Sequence, residues 1–96
     1  MATKHNKTAQ QIAENKGASY NKGPGPDIKT SRQTIEVETS NTIGDAGRQL
    51  QGHKGPVYVA VADDKDIPKA VDRYKGTTIG VMDSSGTVVK SSSRKR

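Results

Sequence analysis

Residues 56–62 read PVYVAVA, and no other stretch narrows the fold of this chain as much. Val57 to Val61 are apolar without a break, so a strand here is apolar on both faces. Such a strand belongs in the middle of a sheet that is covered on both sides. Helical signals flank it. Downstream, Asp64 or Asp66 can cap a helix with Pro68 in its first turn, Ala70, Val71 and Tyr74 on its inner side, and Gly76 at its end. TTIGVM (77–82) then reads as a further strand. A strand–helix–strand unit favours a right-handed parallel crossover. DSSG (83–86) is a turn, and TVV (87–89) can return as an edge strand.

Upstream, Thr8 and Gln11 fit a capping box, and Ala9, Ile12 and Ala13 follow at helical spacing. Gly17 can close this helix, which is expected from about Ala9 to Lys16. SYNKGPGP (19–26) is too rich in Gly and Pro for regular structure. Residues 27–30 and 34–39 then read as two strands joined by a turn at Ser31–Gln33. Ile35 and Val37 alternate with Glu36 and Glu38, so one face packs and the other carries carboxylates. Asn41 or Thr42 can start a second helix with Ile43, Ala46 and Leu50 on one face, although Gly44 and Gly47 weaken it. The predicted order is α-β-β-α-β-α-β. It defines an α/β fold with a small mixed β-sheet flanked by helices. A flexible basic arm (1–7) and a disordered basic tail (91–96) are expected around a single domain at 8–90.

The core must be built from small residues. Phe and Trp are absent, Leu50 is the sole leucine, and hydrophobic residues make up 29% of the chain. Marginal stability follows, and a homodimer interface is expected to supply missing burial. A formal charge of +6 suits a polyanionic partner, nucleic acid first, although solubility alone also accounts for it. The lack of cysteine excludes disulfides, thiolate metal sites and a cysteine nucleophile. The longest apolar run is too short for a membrane span, and the first residues lack a signal-peptide pattern, so a cytoplasmic location is expected.

Within this basic chain, Asp27, Glu36 and Glu38 stand close together. A two-residue hairpin loop at Ser31 and Arg32 places Asp27 opposite Glu36, with Glu38 one pleat further on the same face. Carboxylates so placed repel each other unless a cation lies between them. Two readings are open on the residues alone: a solvated acidic face, or a site for a hard divalent ion such as Mg²⁺ or Mn²⁺.

GPD (25–27) followed by IEVET (35–39) resembles the PD-(D/E)XK nuclease superfamily, which includes restriction enzymes and archaeal Holliday-junction resolvases. The resemblance covers roughly residues 8–82 and implies a restriction-endonuclease-like core of the same element order. It implies a Mg²⁺- or Mn²⁺-dependent endonuclease acting on DNA. Asp27 matches the motif aspartate and Glu36 the second acid. Glu38 stands where the family usually has lysine, as in some restriction enzymes, and becomes a further ligand or a general base. Glu14 matches an acid that some members bring to the metal from the first helix, and Gln49 resembles a glutamine on a later one. Lys54, Arg48 or Lys22 can replace the missing positive charge, Lys54 first because it precedes the central strand.

Lys22, Lys29, Arg32 and Arg48 can track DNA phosphates, and Tyr20 can stack on a base or sugar or cap the core. His5 and His53 have no partner at metal spacing and read as surface residues, while Ser91–Ser93 read as linker. The alternative function is a non-catalytic nucleic-acid-binding module of the same fold.

Overall fold

The computed structural model describes residues 4–18, 20–21, 27–30, 33–39, 42–45 and 55–92. PVYVAVA takes the central place its composition demands. Val57–Val61 (β3) is the middle strand of a five-stranded sheet in chain order, flanked by Ile28–Lys29 (β1), Thr34–Glu38 (β2), Gly80–Met82 (β4) and Val88–Lys90 (β5). The two pairs that include β3 are parallel, and the two outer pairs are antiparallel. Parallel neighbours need a crossover. Between β3 and β4 it is made by helix α2 (Ile67–Tyr74). Between β2 and β3 the chain makes a 3-10 turn at Ile43–Asp45, and the rest of the helix expected there lies outside the described residues.

The two faces of the sheet hold separate cores. Ile28, Ile35, Val37, Tyr58, Ala60 and Met82 pack against Ala9, Ile12 and Ala13 of helix α1 (Lys4–Asn15). Val57, Val59, Val61 and Val81 pack against Ile43 and against Ala70 and Tyr74 of α2. Within the sheet, Gly80 must lack a side chain: an added Cβ would lie 2.4 Å from the ring of Tyr58 on β3 and 2.6 Å from the Lys90 carbonyl oxygen on β5.

Four local expectations need correction. Helix α1 begins at Lys4, well before the predicted start near Ala9, so residues 4–7 belong to it and not to a loose arm. Thr8 is no cap: it is buried, and its hydroxyl donates to the Ala62 carbonyl at 3.3 Å. Ahead of α2, Asp66 takes the N-cap position as expected but its side chain makes no cap bond; Asp63 caps the preceding 3-10 turn by accepting from the Lys65 amide, and Asp64 accepts from the Ser84 amide. Ser92, expected in a linker, holds the sheet together. Its hydroxyl accepts from the Val57 amide at 3.3 Å and donates to the Thr78 carbonyl at 2.8 Å. Among the described residues no helix is long and apolar enough to cross a membrane.

Candidate functional site

The β1–β2 hairpin sets the geometry. Lys29 pairs with Thr34 and Ile28 with Ile35, and the Thr30 amide donates to the Gln33 carbonyl at 2.8 Å. In this register the next residues outward are Asp27 and Glu36, facing each other as the two-residue loop requires. β1 stops at Ile28, and the Asp27 side chain continues its pairing role. Its Oδ2 accepts from the Val37 amide at 2.9 Å. The Asp27 amide donates to Glu36 Oε1 at 3.3 Å, and its carbonyl accepts from the Asn21 amide at 2.8 Å.

Glu36 and Glu38 do not form a solvated face. They are 7% and 6% exposed, respectively. In the parallel register they stand beside Val59 and Val61, on the α2 side of the sheet. The chain after β2 closes over them: the Thr39 amide donates to Thr42 Oγ1 at 3.0 Å, and Ile43 is buried with its carbonyl accepting from the Tyr74 hydroxyl. A cavity of about 380 Å³ remains, lined by His5, Asp27, Glu36, Glu38, Thr39 and Thr42 together with Val37.

Burial pushes the Glu36 carboxyl up to about 7, and the charges of Asp27 and Glu38 push the same way. The Asp27 amide opposes them, too weakly to win. Glu36 therefore carries the cost of a buried carboxylate among carboxylates, which a cation would relieve.

His5 is the residue that sequence reasoning missed. Its Nε2 lies 3.2 Å from Asp27 Oδ2, and its ring is edge-on to Tyr20 with centroids 6.2 Å apart. The signal was present: His5, Ala9 and Ile12 share a helix face at four- and three-residue spacing, visible once the helix is extended to Lys4. Tyr20 is half-buried and donates to Asn6 Oδ1 at 2.8 Å, so it supports the site from behind. Burial, then the charges of Asp27 and Glu36, raise its hydroxyl pKa.

The other candidates separate from this cluster. Glu14 is exposed and does not line the cavity; nine residues beyond His5, it lies about 13–14 Å further along α1. It is not brought to the acids as the resemblance implied. Lys29 is exposed in β1. Lys22, Arg32, Arg48, Gln49, His53 and Lys54 lie outside the described residues.

Among the described residues no group of three or more His, Cys, Asp or Glu side chains is gathered tightly enough to hold a metal ion. The expected three-carboxylate cradle is thus not complete, and the close pair is Asp27 with Glu36. That pair still fits Mg²⁺, which commonly takes one or two carboxylates and fills its remaining positions with water and substrate phosphates. Comparison with family models, curated proteins and solved structures found no match.

Proposed function

We propose that this chain is a metal-dependent endonuclease that hydrolyses phosphodiester bonds in DNA, on a restriction-endonuclease-like core. One observation carries the reading: Asp27 and Glu36 face each other across a hairpin, in a cavity that also receives Glu38. The mixed sheet with parallel crossovers after β2 and β3, and the excess of six positive charges, support it.

Asp27 and Glu36 would hold Mg²⁺ or Mn²⁺ at the cavity wall. When bound, the ion supplies Lewis-acid polarisation of the scissile phosphate and a more acidic water. Glu38, on the same face of β2, takes the proton from the attacking water, the part that lysine plays elsewhere in the resembled family. Thr42 spends its hydroxyl proton on the Thr39 carbonyl, which leaves the Thr39 hydroxyl in the cavity wall to donate to a phosphate oxygen. Lys29 with Lys22, Arg32, Arg48 and Lys54 supplies positive charge for the DNA backbone, and cutting both strands calls for a homodimer. DNA as substrate accords with the cytoplasmic location expected from the sequence.

Plasmid and branched DNA should be cut with Mg²⁺ or Mn²⁺ and spared in EDTA. Asp27→Ala and Glu36→Ala should each slow cutting by roughly a hundred-fold or more. If both variants cut as fast as the parent, the reading fails. Glu38 at the lysine position favours a second reading, a nucleic-acid-binding module of the same fold without cleavage. It predicts salt-sensitive DNA binding and no metal-dependent product.

A further inference from the structure

We infer that His5 is a positioning residue of this site: through its contact with Asp27 it fixes which carboxylate oxygen is turned toward the cavity. The inference rests on the reading of Asp27 and Glu36 as the ion-holding pair. An ionised aspartate only accepts hydrogen bonds, so His5 Nε2 is the donor in its 3.2 Å contact with Oδ2. The same oxygen accepts from the Val37 amide at 2.9 Å. Two donors, one from α1 and one from β2, thus converge on Oδ2, while the Asp27 carboxylate also shares a side-chain hydrogen bond with the Glu36 carboxyl that an ion would replace; Oδ1 is the oxygen we assign as the ligand atom. Helix α1 and the hairpin come from opposite ends of a Gly/Pro-rich segment, so this contact also fixes the first helix against the site.

His5 is not placed to act as a base. Its second nitrogen, Nδ1, lies 3.3 Å from Asn6 Oδ1 and 3.5 Å from the Tyr20 hydroxyl. The Tyr20 hydroxyl in turn donates to Asn6 Oδ1. Nε2 is therefore spent on the acid, while Nδ1 lies against the Asn6 and Tyr20 oxygens, bonding to Asn6 Oδ1 only when it carries a proton of its own. Histidine in this role orients a ligand and leaves the chemistry to the acids. Loss of such an outer contact typically weakens metal binding by roughly ten- to a hundred-fold.

The test combines two readouts on the full chain, with thermal unfolding confirming that each variant folds. The first is Mn²⁺ affinity by calorimetry in the parent, His5→Ala and His5→Gln. The second is the ¹³Cγ resonance of Asp27 in metal-free protein. His5→Ala should weaken Mn²⁺ binding about ten-fold or more and move the Asp27 resonance. His5→Gln, which keeps an N–H donor, should restore much of both. Parent-like Mn²⁺ affinity in His5→Ala, an unmoved Asp27 resonance, or a loss that glutamine does not restore overturns the inference. If the parent binds no Mn²⁺, the ion-holding reading falls, and the metal-free resonance with its recovery in His5→Gln decides the role of His5 alone.

Discussion

Asp83, just past β4, and Glu36, within β2, are two carboxylates with opposite surroundings. Burial would raise Asp83, but the Ser85 hydroxyl and the amides of Thr87, Ser85 and Gly86 outweigh it and hold it below the usual range. Its Oδ1 accepts at 2.9 Å from the Ser85 amide, at 2.7 Å from the Ser85 hydroxyl and at 3.0 Å from the Thr87 amide. Those donors close the turn into β5, where Gly86 adopts φ +89° and packs on Ile12 of α1. Asp83 is an acid matched to its donors. Glu36 faces two further acids and is pushed up to about 7. Surroundings that favour the ion mark a structural carboxylate, while surroundings that oppose it mark a group held in place for a ligand or a reaction.

The contrast can be broken most forcefully by making both acids neutral. Glu36→Gln should cost cleavage roughly a hundred- to a thousand-fold while leaving the fold intact, measured as product formation beside thermal unfolding. Asp83→Asn should leave cleavage near the parent rate. Equal losses in both variants would erase the distinction between the two acids.

The second effect is on stability against pH in metal-free buffer. Between about 4.5 and 7 the folded chain keeps a proton on Glu36 that the unfolded chain has released. The contribution is therefore complete below this window and is lost as pH rises through it, up to about 3 kcal/mol. Asp83 runs the other way: its contribution is present above the ordinary aspartate range and is lost as pH falls. Denaturant titrations of parent and Glu36→Gln should diverge toward neutral pH, with the glutamine variant the more stable. Parallel curves would contradict the buried, crowded setting of Glu36.

The smallest effect belongs to the turn. Asp83→Ala removes the acceptor for three donors that partly face water, so a loss of about 1 kcal/mol is expected in chemical denaturation. No change at all would mean that the turn is closed by Gly86 and its backbone bonds without help from the carboxylate.

The sheet was largely legible because its signals are local. An unbroken apolar run fixed β3, Pro68 and Gly76 bracketed α2, and the short connection from Thr30 to Gln33 set the register that brings Asp27 to Glu36. What escaped depends on partners distant in the chain. A capping box read at Thr8 is outweighed by a hydroxyl contact with Ala62, so α1 extends back to Lys4 and delivers His5 to the site. Alternation in β2 left a solvated acidic face open as one reading, but both glutamates are buried beside a cavity that His5, Thr39 and Thr42 also line, a fact of tertiary packing that no pattern within 34–39 contains. Ser92 looked like part of a linker because its bonds reach back to Val57 and Thr78.

The central claim is that Asp27 and Glu36 together hold a divalent ion, and carboxyl ¹³C NMR across a Mg²⁺ titration tests it most directly. Saturating Mg²⁺ should move both resonances together and bring the Glu36 midpoint down from about 7, with Asp83 unmoved. If millimolar Mg²⁺ leaves the Glu36 midpoint where it was and neither resonance shifts, the pair holds no ion and the nuclease reading is lost.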